Sequence, residues 1–391
     1  MQDYSQSAIE AASHAEVAYC KFITPNDAGI TGGHQYGYHL HRDAWKLMFS
    51  ESGVKGANKD KEVTIRWQDD FETASRFIYY GEKTRNEYRL TRVAKGVPFN
   101  GDGSVGNLLV LCKQAENYYR AYVLETEDEI DNFLNFFGIP PTDANGLISK
   151  LAAAPGPGDM QMLMQQYVQG LPDGFPTGEE VAVAARDIYA RVSGMTDSQM
   201  VTDPDTVVMN WVNTEYSLFK EIEKARYGEK YLNAPFASVD SLVEAANTIL
   251  NRRKSRAGKS LENHLGRIFE ANGLPFSEQK ATEGHKKPDF IMPGIEQYHD
   301  AGYDAEKLVF LASKTTCKDR WRQVLNEAGR TPQKHLFTLQ QGISTNQLDE
   351  MKDESLTLVV PEAHLGTFPA SNRDDIMTLK QFIAHAKQTV L

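Results

Sequence analysis

The chain has 391 residues, 24% of them charged and 41% apolar, with a formal net charge of −11; this is too long for one ordinary core and calls for two domains. No apolar run approaches the roughly 18–20 residues that a membrane crossing needs. The opening residues lack the basic-then-apolar layout of a secretory signal, and the widely spaced Cys20, Cys112 and Cys317 offer neither a disulfide framework nor a zinc site, which fits a reducing cytoplasm. The acidic sum argues mildly against a nucleic-acid partner, but basic residues cluster at 83–92, 252–259 and 314–322, so a locally basic cleft stays open to the chain.

In chain order, the first 165 or so residues show short alternating apolar runs, Val63–Trp67, Phe77–Tyr80 and Leu108–Cys112, broken by the glycine-rich GITGGHQYGY and FNGDGSVGN. This predicts a mainly β domain over 1–165 with a helix near each end. AAAPGPGD at 152–159 and LPDGFPTG at 171–178 punctuate a linker, placed at 166–178. The remainder, 179–391, alternates helix patterns with short apolar strands. Helices are predicted over Gly178–Val192, Val239–Arg253, Ser260–Asn272 and Asp319–Ala328, and strands over Phe290–Met292, Leu308–Ser313, His335–Leu339 and Leu356–Val360. That is an α/β core, a central mixed sheet flanked by helices.

The most informative stretch runs from Lys286 to Glu327. KKPDF places Asp289 at the start of an apolar strand, KLVFLASK ends a second strand on Lys314, and a helix carries Glu327 further along. Two adjacent strands can present the aspartate and the lysine at one sheet edge, and the helix can return the glutamate to them. Phosphodiester hydrolysis needs such a set. Asp289 and Glu327 are oxygen ligands suited to a hard cation such as Mg²⁺, which polarises the phosphoryl group and activates water. Lys314 would orient that water and offset charge growing on phosphorus. The bare triad also arises by chance as a turn aspartate with a surface lysine.

Asp289, Lys314 and Glu327 resemble the PD…K…E variant of the PD-(D/E)xK nucleases, in which the second acid has moved to the following helix; Ala312, two before the lysine, is accordingly not acidic. The words RRKSRAGKSLENHL, TEGHKKPDF, KTTCKDRWRQVLNEA and HLFTLQQGIS resemble, in order and spacing, the catalytic domain of the EcoRII-type restriction endonucleases over about 236–384. The resemblance implies a restriction-endonuclease-like core, and it adds Glu262 and Tyr298 to the active site. It makes Lys318, Asp319 and Arg320 the triplet that reads the CC:GG part of a CCWGG-like duplex site. Basic side chains suit guanine O6 and N7, and an aspartate accepts from cytosine N4. It also implies flipping of the central nucleotides. RRKSRAGK is read as a backbone-phosphate contact or a solvated hinge.

NDAGITGGHQYGY and GEKTRNEYRLTR resemble the B3-like N-terminal effector domain of the same enzymes over about 22–97, which implies a mainly β pseudo-barrel. The glycines would let His34 and Gln35 approach a groove. Lys83, Arg85, Glu87 and Arg89, read as alternate positions of one strand, would share a face. By the resemblance, His34, Lys83, Arg85, Glu87 and Arg89 line a DNA cleft, although Tyr88 and His39 stand where the family has a lysine and a tyrosine. The family further implies autoinhibition by this domain, relief by a second DNA site, a homodimer that cuts both strands, and a cytosine methyltransferase that protects host sites. Two competing readings are a cleavage-inactive DNA-binding regulator of the same fold, which the presence of all three catalytic residues opposes, and a nuclease with little sequence preference, which the reading triplet opposes.

Overall fold

Strand alternation in the first third of the chain produces a sheet whose inner face fills one core, while Cys20, Phe22, Leu108, Val110 and Cys112 on its outer face pack in a second. The computed structural model describes residues 3–31, 37–93, 101–148, 158–232, 235–284 and 286–391. After helix α1 (Ser5–His14), strands β1 (Ala18–Phe22), β2 (Tyr38–Leu40), β3 (Lys59–Trp67), β4 (Glu72–Tyr80), β5 (Glu87–Thr91), β6 (Leu108–Ala115), β7 (Tyr118–Leu124) and β8 (Asn145–Leu147) form one barrel-like sheet, ordered β2-β5-β4-β3-β7-β6-β1-β8. A short helix, α2 (Trp45–Met48), follows β2. Period-2 side chains such as Val63, Ile65, Trp67, Leu109 and Leu111 fill its interior.

Helix α3 (Glu127–Phe137) leaves this sheet with its ends fixed by sequence. Thr126 and Glu129 form a reciprocal capping box, and Gly138 closes the helix at φ 59°, a left-handed position that favours glycine. Its first turn carries Glu127, Asp128 and Glu129, the charge sign that a helix N-terminus favours.

The second body begins with helices α4 (Gly158–Gln169), α5 (Gly178–Ser193), α6 (Gln199–Thr202), α7 (Pro204–Tyr227) and α8 (Val239–Ala271). Met164 of α4 packs with Ala184, Ala185 and Ile188 of α5 and Leu218 and Ile222 of α7, so α4 joins this body ahead of the stretch read as linker. Strands β9 (Ser277–Glu278), β10 (Phe290–Met292), β11 (Val309–Lys314), β12 (Lys334–Thr338), β13 (Leu356–Val360) and β14 (Met377–Thr378) form a six-stranded sheet. It is mixed: β9 to β11 pair antiparallel, and β11 to β14 pair parallel. Both faces are buried. Val309 and Leu311 pack with Leu265, Ile268 and Phe269 of α8, while Phe310 and Ala312 pack with Trp321 and Tyr298. Helices α9 (Ile295–His299), α10 (Thr345–Asp353), α11 (Glu362–Leu365) and α12 (Leu379–Val390) complete the layers.

Three local expectations are corrected. The two helices expected at 239–253 and 260–272 are one 33-residue helix, because Gly258 sits in its interior where the flanking turns override a weak breaker. The helix expected at 319–328 is a 3-10 segment, Arg320–Asn326, and Glu327 follows it in extended geometry. Lys83 and Arg85 are not on a strand. They lie in the turn before β5, with Lys83 at φ 54°, so only Glu87 and Arg89 keep the shared-face spacing.

Candidate active site and its covering helix

Asp289 stands just before β10, and the antiparallel partner strand β11 ends on Lys314, so the two reach the same end of the sheet. The Asp289 carboxylate is held from two sides. Ser313 donates its backbone N–H (2.7 Å) and hydroxyl (3.2 Å) to Oδ2, and Gln279 Nε2 donates to Oδ1 at 2.7 Å. Glu262 reaches the same place from α8. It accepts from Lys259 Nζ at 2.7 Å and from Gln279 Nε2 at 3.2 Å. Burial and the neighbouring Asp289 charge raise its pKa, opposed by the Lys259 and Gln279 bonds.

Glu327 is delivered by the loop after the 3-10 segment. Lys286 Nζ donates to Asn326 O at 2.6 Å, and buried Lys334 donates to Ala328 O at 3.1 Å, bracketing the glutamate. Burial, then the Asp289 charge, push its carboxyl up to about 7, while Lys314, Lys286 and Lys334 pull the other way. Tyr298 supports this loop. Its hydroxyl donates to Glu283 and accepts from Arg330 N–H at 3.2 Å, and its pKa is pushed up to about 12, chiefly by burial and then by the Glu283 bond. The structure thus brings Asp289, Glu262 and Lys314 to one cavity and sets Glu327 within electrostatic reach of Asp289 and Lys314. Tyr298 bonds the loop behind Glu327.

Among the described residues, no three or more His, Cys, Asp or Glu groups gather closely enough to hold an ion. The oxygen donors fit a cation that takes one or two carboxylates and fills its remaining positions from water and phosphate, the habit of Mg²⁺. The pKa values of Glu262 and Glu327 are raised by burial first and by the Asp289 charge after it, and a cation placed among these groups would favour their charged forms.

The cavity, about 230 Å³, is roofed by α3: its lining joins Glu127 and Asp131 to Glu262, Asp289, Lys314 and Arg320. A larger hollow, about 590 Å³, lies between α4 and α5 and contains none of the candidate side chains. Arg320 pairs with Glu127 (2.8 Å), Asp131 (3.2 Å) and Asp128 (3.4 Å). The backbone N–H groups of Lys318 and Arg320 donate to Glu127 Oε2 at 3.2 and 3.3 Å, and Glu127 N–H donates to Asp319 Oδ1 at 3.4 Å. Thr316 donates to Asp131 at 2.5 Å. Lys318 is 8% exposed, its ammonium has no hydrogen-bond partner among the described residues, and burial pulls its pKa down to about 8. At the other end of α3, Arg253 donates to the Asn135 (3.4 Å) and Phe136 carbonyls, and its Nε and Nη2 grip Glu223 at 2.8–3.0 Å.

The remaining basic residues of 252–259 are largely engaged inside the chain. Arg252 lies over the Phe175 ring at 4.1 Å, and Arg256 lies over Tyr216 at 3.8 Å and pairs with Glu215 at 3.7 Å. Lys254 lines the cavity. Trp321 is buried in the core.

In the N-terminal sheet, His39 of β2 registers opposite Arg89 of β5. Glu87 lies 3.4 Å from Arg89 and 3.9 Å from His39. Arg85 stacks over Tyr80 at 5.2 Å from the turn, and Lys83 is exposed. His34 and Gln35 lie outside the described residues. Sequence reasoning missed Gln279, Ser313 and the role of the acidic turn of α3. That turn was visible only as an acidic run at 125–131, and nothing in the sequence singles out Gln279.

Comparison with known proteins accounts for both halves. The family described as EcoRII C terminal matches residues 219–383, and that described as restriction endonuclease EcoRII, N-terminal, matches residues 12–140. The type II restriction enzyme EcoRII of Escherichia coli is 35% identical over 398 residues, spanning 96% of this chain and 95% of its own length.

The chain belongs to the EcoRII family of type II restriction endonucleases.

Membership of the EcoRII family makes it a sequence-specific DNA-cleaving enzyme. The type II enzyme SsoII of Shigella sonnei is 26% identical over 146 residues, 35% of this chain and 47% of its own length. Among solved structures, metal-depleted Ecl18kI with uncleaved, modified DNA aligns at a TM-score of 0.46 and 19% identity, covering 61% of this chain and 85% of that one. The PspGI–substrate DNA complex aligns at 0.45 and 17%, covering 55% and 93%.

Proposed function

We propose that this EcoRII-family chain is a Mg²⁺-dependent endonuclease for a CCWGG-like duplex site, and that its N-terminal domain, 1–165, holds it inactive until that domain binds DNA. Within this reading 166–178 is the linker and 179–391 the catalytic domain, with α4 docked on the latter. The observation that carries it is the seating of the acidic turn of α3 on Lys318, Asp319 and Arg320, beside Asp289 and Lys314. Carboxylates there occupy the donors that a reading arginine would otherwise direct at guanine O6 and N7.

Asp289 and Glu327, with Glu262 beside them, would hold the Mg²⁺, which would supply a polarised phosphoryl group and an activated water. The chain's own work is positional. Ser313 fixes the Asp289 carboxylate, Lys286 and Lys334 fix the loop of Glu327, and Tyr298 braces that loop from behind. Lys314 orients the attacking water and offsets charge on the phosphorus. Once uncovered, Lys318, Asp319 and Arg320 read the C·G pairs. His34, Lys83, Arg85, Glu87 and Arg89 contact the second, regulatory duplex. Two copies paired about a two-fold axis cut the two strands of a symmetric site. The partners are duplex DNA and a second copy, a cytosine methyltransferase protects host sites, and the enzyme works in the cytoplasm.

The test is incubation of plasmid DNA with the protein and Mg²⁺, followed by mapping of the ends. Discrete fragments with uniform overhangs are expected, and Asp289→Ala should lose cutting while still shifting the duplex in Ca²⁺. Intact DNA with a gel shift would mean a regulator, a smear would mean a non-specific nuclease, and cutting by the Asp289→Ala protein would remove Asp289 from the chemistry.

A further inference from the structure

Gln279 occupies an unusual place for a neutral side chain. Its single amide nitrogen donates both to Asp289 Oδ1 at 2.7 Å and to Glu262 Oε2 at 3.2 Å, so one NH₂ group bridges two acids that reach the cavity from different elements, α8 and the start of β10. Its backbone is committed to this arrangement. Gln279 adopts φ 50°, the left-handed region that non-glycine residues seldom enter, and its N–H points back to the Pro288 and Asp289 carbonyls at 3.2 and 3.3 Å. The end of β9 is therefore tied directly to the residue that its side chain serves. An amide NH₂ is the neutral group best able to lie between two carboxylates, because it has two protons to give.

We propose that Gln279 is a placeholder for the divalent cation: its amide screens Glu262 from Asp289 in the metal-free protein and withdraws when a cation takes the two carboxylates. Gln279 is thus a positioning residue, acting on the site through Glu262 and Asp289. It keeps the acids converged and the site preformed, and in return it competes with the cation. This rests on the nuclease reading above, since it takes these carboxylates to be the metal-facing groups.

The experiment titrates Mn²⁺ alone into the full-length protein without DNA and reads the free ion by electron paramagnetic resonance. Two variants remove the bridge. Gln279→Met keeps the length and loses the donor, and Gln279→Asn is too short to span both acids yet belongs to a residue type that accepts left-handed backbone. Hydrogen bonds to a charged group are lost from the metal-free state only, so both variants should bind Mn²⁺ about tenfold more tightly than wild type. They should also unfold at lower temperature without metal and show a larger rise in that temperature on adding Mn²⁺. Weaker binding would make Gln279 a ligand, and affinity within twofold of wild type would make it a bystander; either result overturns the proposal. Asp289→Asn separates the two levels of failure. If it leaves Mn²⁺ affinity untouched, the cation does not sit on these carboxylates, and the site assignment itself falls.

Discussion

Asp131 shows how a single side chain couples the cover to its surroundings. It lies at the α3–cavity boundary, where burial raises its carboxyl to about 6 and Glu127 pushes in the same direction, while the Thr316 bond, Arg320 and Lys254 oppose the rise. In an unfolded chain it would titrate near its ordinary 3.8. Between these two values the folded, covered form holds a proton that the unfolded chain has released, so Asp131 favours folding in acid and loses that advantage as the pH rises through about 6. An asparagine in its place would be neutral throughout. Relative to wild type, Asp131→Asn should therefore gain stability between pH 4 and 6.5, by roughly 2–3 kcal/mol, and level off above. Chemical denaturation across that range measures it; a stability difference independent of pH would mean that the Asp131 carboxyl is not buried between α3 and the cavity in solution. At this scale the sequence is uneven. Asp289, Lys314 and Glu327 were legible because metal-phosphate chemistry restricts residue type and order. Gln279 was not, because a glutamine near a strand end has no spacing rule and its left-handed φ is set by contacts with Pro288 and Asp289.

Elements were legible where one face is apolar at a clear period. The four strands expected in the second sheet fell within a residue or so of their expected bounds, while the two-residue β9 and β14 were not expected, and Leu261, Leu265, Ile268 and Phe269 all face the core from α8. The failures share a cause. Long α7 was not predicted, since its 24 residues bury polar Thr214, Glu215 and Glu223 along with Val208, Trp211 and Phe219, which blurs a simple apolar stripe. The 3-10 segment replaced the expected α-helix because Lys286 and Lys334 draw on its last carbonyl and the next loop, a tertiary demand invisible locally. Trp321 anchors that segment, 1% exposed among Phe310, Leu336 and Leu358. Trp321→Ala should cost about 3–5 kcal/mol, seen as a lower denaturant midpoint. Cleavage per folded molecule should fall as well, since the anchor sets the approach of Glu327 and of Lys318, Asp319 and Arg320 together. Full activity in a destabilised variant would detach the segment from site geometry.

In the whole molecule, the two sheet-bearing bodies meet through a set of contacts that, on the proposed reading, have to give way for DNA to enter. Arg320 holds three carboxylates of α3, and Arg253 holds the carbonyls at its far end. Away from the cavity, Asp102 accepts from the first N–H groups of α10 at 2.8 and 3.2 Å, and the Gln340 and Gln341 amides donate to Gly106 and Pro141 carbonyls at 2.8 and 2.6 Å. Gly106, at φ 83°, meets Gly342 so closely that a β-carbon would lie 2.2 Å from the Gly342 carbonyl oxygen, a fit that tolerates no side chain. Such a cover can be shifted only by a ligand that binds the uncovered form better. A duplex on the N-terminal sheet meets that requirement if its binding surface is complete only when α3 has lifted. A plasmid with one recognition site should then be cut slowly, and a short duplex bearing the site, added in trans, should raise the rate about 5- to 150-fold, the usual range of coupling between two sites. Neutralising the clamp with Glu127→Gln, Asp128→Asn and Asp131→Asn together should reach a comparable rate with no added duplex and respond little to it. Rapid single-site cutting by wild type, with the triple variant no faster, would leave α3 as packing and not as a brake.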